Sequence, residues 1–399
     1  MRKARQYPGF LLAAGALCAL TGLTAPHPAQ ADVRATASIV GGRAVSIAEY
    51  PSLAYIEAHH GRSGFACTGT VVAPRVVLTA AHCIESQETG AFTPARDYAI
   101  ATGTTSPGQA ESQNVFGVVG NHVFPGYDPG ALRGDAGILV LDRPTAAPPL
   151  ALAGAADAAL YAGGAPVQLA GWGLTRANAV NPPGSLRATG MVVQTPAFCR
   201  RKTHDYYPPY SPAAQLCTLA TPTKDSGGCF GDSGGPAIAQ RADGTPVQLG
   251  IVSTGGPSCS TKLPNVLTRA DLVSTWVAEW IAAVETGAPR PVVDPNSPLP
   301  LMRRSSAESF TVFTLLNHFG RRFERARELL GSCRRVSRVR FRCNVAWRVG
   351  RVIYAGTVSP FYVRRQEAFS WDSHFRIEWA SLRCLRSDAR RCPIHTKRG

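Results

Sequence analysis

Three short strings, one with a histidine, one with an aspartate and one with a serine, constrain this chain more than any other feature of its sequence. They are TAAHC with His82, GDAGILVL with Asp135 and GDSGGP with Ser233. A serine hydroxyl becomes an effective nucleophile near neutral pH only if a base accepts its proton and a buried carboxylate orients that base. The sequence therefore contains all three parts of a Ser-His-Asp catalytic triad.

Each of these residues also has a purely structural interpretation. A solitary histidine such as His82 is often a hydrogen-bonded core residue, and Asp135 could be a carboxylate at a turn or a strand end. Their joint presence, with a cysteine directly after His82 and glycines around Ser233, favours catalysis over structure.

Further strings occur along the chain: IVGG from Ile39, AGWG around Trp172 and Ser-Thr-Gly from Ser253 to Gly255. Together with the order His, Asp, Ser, they resemble the chymotrypsin/trypsin family of serine endopeptidases, and we assign the catalytic domain to residues 39–285. The resemblance implies an all-β fold of two six-stranded antiparallel barrels with a C-terminal helix and the triad at their junction. It also implies a hydrolase that cleaves peptide bonds of proteins or peptides without a cofactor.

The resemblance assigns a role to each member of the site. His82 would act as general base and then as general acid, while Asp135 would orient its imidazole and stabilise the imidazolium. Ser233 would form the acyl-enzyme. The backbone N–H groups of Gly231 and Ser233 would form the oxyanion hole, in which one lost donor costs about 3 kcal/mol.

The apolar pattern agrees with an all-β domain. Short alternating stretches between Gly, Pro, Asn and Asp residues predict strands at 71–79, 115–119, 138–141, 166–170 and 246–254. After Asp271, a candidate N-cap, apolar residues recur at helical spacing. They predict a C-terminal helix that packs on the second barrel: Val273, Trp276, Val277, Trp280, Ile281 and Val284.

The amino end has the features of a signal peptide, which we assign to residues 1–31. Three basic residues occur among the first five, an apolar run extends from Phe10 to about Leu23, and residues 29–31 form an A-x-A cleavage site. A transmembrane anchor is the alternative, but this run is short for a bilayer span and Pro26 follows it. The sequence therefore predicts a secreted, extracellular protein without a membrane span.

Residues 32–38 would then form a short propeptide ahead of IVGG. The resemblance implies that cleavage before Ile39 creates an amino terminus that folds inward and pairs with Asp232, which shapes the oxyanion hole and the substrate pocket. Precursors of this family are commonly cut after a basic residue, whereas Ser38 precedes Ile39 here and the nearest basic residue is Arg34. The activating protease is therefore left open.

The resemblance places the substrate-binding residues at Asp225, Gly227, Ser253 and Gly255. Trypsin has an aspartate six positions before its nucleophile, where this chain has Gly227, and Asp225 is eight positions before. If two glycines loop out, Asp225 lies at the pocket floor and selects Arg or Lys before the scissile bond, which is the working prediction. If Gly227 forms the floor, the pocket accepts apolar or aromatic side chains. Asn265, on the expected pocket wall, does not decide between these alternatives.

Eleven cysteines agree with export to an oxidising compartment. Cys18 would leave with the signal peptide, and the resemblance implies three bridges: Cys67–Cys83, Cys199–Cys217 and Cys229–Cys259. The remaining four suggest two bridges that close short loops, Cys333–Cys343 and Cys384–Cys392. Zinc is the alternative for these four, but their spacings lack the short knuckles of most structural zinc sites, so we predict no metal.

A different kind of sequence follows the catalytic domain. Residues 286–300 are rich in proline and predict an exposed linker. From Arg290 onward there are 23 Lys and Arg residues against 8 Asp and Glu, so this part carries +15 of the net charge of +16. Residues 301–399 are predicted to form a small, basic α+β accessory module with its own core.

Within this module, the alternation from Val339 to Val349 predicts a strand with one buried face, and residues 351–358 and 375–382 predict further strands. Apolar residues at steps of four and three predict an amphipathic helix: Val312, Leu316, Phe319, Phe323, Ala326 and Leu330.

The other face of the strand at 339–349 carries arginines: Arg338, Arg340, Arg342 and Arg348. They could simply be the solvated side of a half-buried sheet, or they could bind an anionic partner such as a cell-surface polymer. No nucleic-acid-binding motif accompanies them, which makes nucleic acid the weaker choice. An inhibitory tail removed on maturation is also open. The alternative for the whole chain is a secreted protein that binds a polyanion or a surface and has an inert protease fold.

Overall fold

The computed structural model describes residues 39–60, 63–87, 89–177, 184–204, 210–291, 298–365, 368–382 and 393–399. The signal peptide and propeptide predicted at 1–38, and the bridge predicted between Cys384 and Cys392, lie outside these ranges. Among the residues described, none of the helices combines the length and the apolar character that a bilayer span requires.

The first part of the chain is built from short strands separated by loops and single 3-10 turns. In chain order the strands are β1 (Arg43–Ala44), β2 (Leu53–His60), β3 (Ser63–Ala73), β4 (Val76–Thr79), β5 (Tyr98–Thr102), β6 (Val115–Val123), β7 (Gly137–Leu141), β8 (Pro166–Gly171), β9 (Arg187–Val193), β10 (Gln215–Leu219), β11 (Pro236–Gln240), β12 (Pro246–Thr254) and β13 (Asn265–Arg269).

These strands form two closed antiparallel barrels. The first barrel has the strand order β2-β3-β4-β7-β6-β5. The second has the order β9-β10-β13-β12-β11-β8 and closes through the pairing of β8 with β9, while β1 adds to the outside of β9. Each barrel surrounds its own apolar core. The predicted double barrel is confirmed.

Two helices accompany the barrels, α1 (Pro196–Thr203) and α2 (Ala270–Thr286). The ring centroids of Trp276 and Phe124 are 5.5 Å apart, and the ring of Trp280 stacks on that of His122 with their centroids 3.7 Å apart. Both partners belong to the first barrel. The prediction that the C-terminal helix packs on the second barrel is therefore wrong for most of its length, because periodicity shows which face of a helix is apolar but not what covers it. The residues of α2 that are buried in the core of the first barrel are Val273, Trp276, Val277 and Trp280.

The C-terminal module is one antiparallel sheet covered on one face by a helix. Its elements are α3 (Arg304–Phe319), α4 (Arg321–Glu324), β14 (Arg327–Ser337), β15 (Arg340–Val349), β16 (Val352–Arg365), β17 (Ala368–Ser381) and β18 (His395–Arg398), and the strands pair in sequence order. The alternation predicted for residues 339–349 is observed, since Phe341, Cys343, Val345 and Trp347 are buried.

The predicted helix from Val312 to Leu330 is wrong in its extent, and its predicted face is only part of the buried face. Phe319 and Phe323 are buried against the sheet, and Val312 and Leu316 are partly buried there. The helix ends at Phe319, where Gly320 adopts φ 45°, and Leu330 lies on β14 with 69% of its surface exposed. The buried face includes two threonines whose hydroxyls donate to carbonyls one turn earlier, which hides this face from an apolar pattern. The buried residues of α3 are Ser306, Ala307, Phe310, Thr311, Thr314, Leu315 and Phe319.

Candidate active site

The histidine and the aspartate of the sequence motifs meet between the two barrels. His82 occupies a 3-10 turn, Ala81–Cys83, just after β4, and Asp135 lies two residues before the start of β7. The Nδ1 atom of His82 lies 2.7 Å from Oδ2 of Asp135, and the His82 backbone N–H donates to Oδ1 at 3.0 Å. Two hydrogen bonds thus fix the position and the orientation of the imidazole.

Asp135 is fully buried and takes a third hydrogen bond, from the Ser253 hydroxyl at 2.5 Å. Burial disfavours the protonated form of His82, but the charge and the hydrogen bond of Asp135 outweigh it and raise the pKa of His82 above its usual 6.5. The imidazole is therefore a stronger base than a free histidine. The side chain of Ser253 serves Asp135, so only its backbone is left for a substrate.

Ser233 lies beside this pair on the loop between Cys229 and β11. The Ser233 carbonyl accepts a hydrogen bond from the Thr68 N–H at 2.8 Å, and Thr68 follows Cys67, which is bonded to Cys83 next to the histidine. On the other side, the Gly234 N–H donates to the Val252 carbonyl at 2.7 Å, one residue before Ser253. The Ser233 carbonyl oxygen also lies 3.8 Å from the Sγ atom of Cys83, the residue after His82, so the nucleophile loop is adjacent to the turn that carries the histidine.

The loop before Ser233 has the geometry of an anion-binding turn. Gly231 adopts φ 97°, a conformation that L-residues with a Cβ rarely adopt, and a Cβ there would lie 2.9 Å from Gly173 Cα. The Thr68 hydroxyl holds the Gly231 carbonyl at 2.9 Å. Within the part of the chain that the structure describes, neither the Gly231 N–H nor the Ser233 N–H donates a hydrogen bond. Both donors are available to a developing oxyanion.

The predicted activation residues lie under this loop. Ile39 is fully buried in the core of the second barrel, and the Val40 carbonyl accepts from the Gly227 N–H at 3.0 Å. The Asp232 carboxylate accepts from the N–H groups of Gly173 and Cys229, each at 2.8 Å. Burial raises the pKa of Asp232 to about 7, and these two hydrogen bonds only partly offset it.

The residues predicted to form the pocket differ in burial, and the buried ones lie around the side-chain amide of Asn265. Asp225 is exposed and accepts from the Thr223 hydroxyl at 2.7 Å. Asn265 is buried, with Oδ1 at 3.1 Å from the Gly228 N–H, and a Cβ on Gly227 would lie 3.1 Å from the same oxygen. On the opposite side, a Cβ on Gly255 would lie 2.6 Å from its Nδ2. The Asn265 amide therefore lies among the glycines that the sequence assigned to the pocket.

Sequence reasoning missed two contributors to the site. Thr68 supports both Ser233 and Gly231, and only its place directly after Cys67 could have pointed to it. Phe230 is 62% exposed directly before Gly231, at the rim of the anion-binding turn, and nothing in the motif distinguishes it from filler.

The covalent framework leaves no thiolate for a metal here. Cys67, His82 and Cys83 form the one group of three metal-binding side chains found among the described residues, and the two cysteines are bonded to each other. The other disulfide bonds among the described residues are Cys199–Cys217, Cys229–Cys259 and Cys333–Cys343.

Two closed six-stranded antiparallel barrels define the double-barrel fold class of serine proteases. The family model described as Trypsin matches residues 39–277, and the chain belongs to this family. The match ends before the C-terminal module.

Individual relatives agree with this membership. The chain is 30% identical to trypsin alpha-4 of Lucilia cuprina over 67% of its own length and 97% of that protein. It is 28% identical to a chymotrypsin of Phaedon cochleariae over 63% and 87%, and 29% identical to a trypsin of Saccharopolyspora erythraea over 58% and 92%.

Proposed function

We propose that this protein is a secreted serine endopeptidase that cleaves peptide bonds through an acyl-enzyme on Ser233. The observation that carries the proposal is the buried Asp135 carboxylate, which orients His82 through two hydrogen bonds beside a serine whose loop presents two free N–H groups. A merely structural histidine would not need this combination.

Each group has a defined task in this mechanism. His82 removes the Ser233 proton as the hydroxyl attacks the carbonyl carbon, and the imidazolium then donates that proton to the leaving amine. Asp135 keeps Nδ1 as the donor, so that Nε2 faces the serine, and stabilises the imidazolium. The N–H groups of Gly231 and Ser233 stabilise the oxyanion. A water molecule repeats the sequence to release the acyl group.

The direct test is Ser233→Ala in protein that begins at Ile39. Hydrolysis of a peptide amide should fall by about four to six orders of magnitude, because the triad acts as a unit. A fluorophosphonate should label the unaltered protein at Ser233 and leave the variant unlabelled. Equal turnover by both proteins would remove the assignment.

The positions of Asp225, Gly227 and Asn265 favour a different specificity from the preference for Arg or Lys that the sequence suggested. Asp225 is exposed to water, where a carboxylate discriminates weakly, while Gly227 and the Asn265 amide occupy the interior. We therefore propose the Gly227 alternative, modified by Asn265. The amide fills space that a long side chain would need, so small uncharged residues should be preferred before the scissile bond.

A second function is favoured by one feature of the module's sheet. Arg334 and Arg342 are directly opposite each other on adjacent strands, and both are exposed. Like charges in this position destabilise a sheet, so an anionic ligand between them is favoured. At the edge of the sheet, Arg325, Arg327 and Arg348 line a recess of about 490 Å³. We propose that this face binds a sulfated or carboxylated surface polymer.

Heparin-agarose chromatography tests this second function. The variant Arg334→Gln/Arg342→Gln should elute at lower salt than the unaltered protein, while Arg96→Gln/Arg176→Gln, which removes two exposed charges from the catalytic domain, should elute almost unchanged. Identical elution of the two variants would show that net charge, and not this face, binds the polymer.

A further inference from the structure

The C-terminal module contacts the catalytic domain at two loops next to the catalytic pair. One, here called the histidine loop, comprises the described residues 84–87, 89 and 90 and begins two residues after His82. The other, the aspartate loop, comprises residues 126–133 and ends two residues before Asp135. The sequence had predicted a separate module on a flexible linker, and nothing in that prediction placed it at the site.

The aspartate loop contains a buried carboxylate whose donors come partly from the module. Asp128 is 9% exposed, and both of its oxygens lie 3.1 Å from the Ser306 hydroxyl, which α3 supplies. The Tyr362 hydroxyl of β16 donates to it at 3.2 Å, and Arg133 of the same loop pairs with it at 2.5 Å. A buried carboxylate requires such donors, so the loop and the module depend on each other.

The histidine loop repeats this arrangement with a second carboxylate. Glu85 is fully buried, and the Ser370 hydroxyl of β17 donates to it at 2.5 Å. The next residue, Trp371, donates its indole N–H to the Gln87 carbonyl at 3.0 Å. Each loop thus contains a carboxylate that accepts a hydrogen bond from a hydroxyl group of the module.

Two glycines show how closely the surfaces fit. A Cβ on Gly130 would lie 2.7 Å from Ser306 Cα and 2.8 Å from the ring of Phe310. A Cβ on Gly90 would lie 2.5 Å from Ser370 Oγ. Cβ atoms do not approach other atoms this closely, so neither loop could bear a side chain there while the module stays in place.

The two loops converge on the catalytic pair. The Glu85 N–H donates to the Ala81 carbonyl at 2.8 Å, within the turn that carries His82. Tyr127 of the aspartate loop is buried, and after burial itself the charges of Asp135 and Glu85 raise the pKa of its phenol. This ring packs in the same core as Ala81, in the turn of His82, and Ala136, directly after Asp135.

We infer that the C-terminal module is a clamp in cis that holds the histidine and aspartate loops, and with them the His82–Asp135 pair, in the catalytic geometry. Asp128 and Glu85 are positioning residues, which receive the module's hydroxyl groups and touch no reacting atom. The expected effect of the clamp on activity rests on the proposed function. Its effect on the geometry of the His82–Asp135 pair can be measured without following hydrolysis.

The first test places a wedge in the interface of the full chain. Gly130→Ala adds one methyl group against α3, and Gly108→Ala adds the same group where no atom lies within 4 Å, so it is the matched control. In Gly130→Ala the kcat for a small peptide amide should fall on the order of tenfold to a hundredfold with little change in KM, because misplaced catalytic groups slow chemistry more than binding. Equal kcat values in both variants would overturn the clamp.

A milder variant guards against a failure to fold. Ser370→Ala removes one hydroxyl and adds no bulk, and the far-downfield NMR resonance of the proton between His82 Nδ1 and Asp135 reports the pair directly. This resonance should broaden or move upfield in Ser370→Ala and stay in place in Gly108→Ala. An unchanged resonance would contradict the clamp. A protein that shows the resonance and its loss but hydrolyses nothing would instead contradict the proposed function.

The last test cuts the connection after folding. A recognition sequence for a specific protease, inserted between residues 292 and 297 of the full chain, allows the module to be severed from the catalytic domain. The two pieces should stay together in gel filtration at low and at high salt, since buried contacts are screened little, and activity should persist. Separation of the pieces with full activity in the catalytic piece would refute the clamp.

Discussion

At the residue scale, our proposal for specificity depends on Asn265. Its amide is buried among backbone groups of the pocket, with its oxygen on the Gly228 N–H and its nitrogen 3.4 Å from the Gly228 carbonyl. A buried amide that satisfies backbone groups is retained in place, so a substrate side chain must fit the remaining space.

Replacement of this side chain should enlarge the pocket. Asn265→Gly should shift the preferred residue before the scissile bond from small side chains to Phe, Tyr or Leu, by about tenfold in relative kcat/KM, because an apolar pocket gains roughly 1–3 kcal/mol from added substrate surface. A peptide library measures the profile. Asp225→Asn is the control and should leave the profile unchanged, whereas a selective loss of cleavage after Arg and Lys would restore Asp225 as the floor.

The pH dependence of activity belongs to His82. The neutral imidazole is the base, and the pKa of His82 is raised, so kcat/KM should decline with acid from a midpoint above pH 6.5. Asp135→Asn removes both contributions that raise this pKa, and burial remains. The midpoint should move to lower pH and kcat should fall about 10⁴-fold. Asp142→Asn, an exposed carboxylate on the same barrel, should change neither.

At the element scale, the site is assembled from the ends of strands. The histidine turn follows β4, Asp135 precedes β7, the nucleophile loop precedes β11 and Ser253 lies near the end of β12. Strand ends are fixed by the ladders behind them, so loops of different length can present side chains at one junction. The segment at Ile39 differs, because its position should depend on cleavage of the chain.

The effect of this cleavage can be tested by measuring how the stability of the protein changes with pH. In the uncut chain the pKa of Asp232 is raised from 3.8 to about 7, so its carboxylate form is penalised and stability should decline as pH rises from about 4 to 7. A free Ile39 ammonium, protonated below about pH 8, should lower this pKa and remove the decline. Thermal unfolding of Ser233→Ala protein with and without residues 32–38 measures both curves.

The control for this comparison is Asp232→Asn in both forms. The amide does not ionise, so the two stability curves should become parallel. Parallel curves already with Asp232 present would show that the new amino terminus does not reach the carboxylate.

At the scale of the whole molecule, the catalytic domain and the module share a buried polar interface. Separate domains on a flexible linker usually unfold independently, whereas domains that bury each other's carboxylates should not. Arg334 and Arg342 of the module stay exposed, whereas other residues of the module make the contacts with the two loops: Ser306, Tyr362, Ser370 and Trp371. The same module could therefore hold the catalytic loops and bind a polymer at once.

Calorimetry distinguishes one cooperative unit from two. The Ser233→Ala protein should show a single unfolding transition, because loss of the module would leave Glu85 and Asp128 with fewer donors and destabilise both loops. Gly130→Ala should split this transition or broaden it, and Gly108→Ala should not. Two resolved transitions in the unaltered protein would mean that the interface contributes little to stability.

Local sequence patterns were enough to identify the class of the fold, and they predicted the chemistry of the site. Motifs such as GDSGGP and TAAHC require fixed residue types at fixed local spacing, and the alternation in residues 339–349 follows from the two-residue period of a strand. Such signals are local, so they can be identified without the fold. The threonine-lined face of α3 shows their limit, because a hydroxyl that bonds its own helix is buried without being apolar.

Only the tertiary structure decided what these local pieces contact. In the structure most of α2 packs on the first barrel, Asn265 is buried against Gly228 while Asp225 is exposed, and the module contacts the two loops next to His82 and Asp135. Ser370 and Glu85 are 285 residues apart, and no local pattern relates them. Burial and hydrogen-bond partners are properties of the packed chain, so one sequence read along its length cannot supply them.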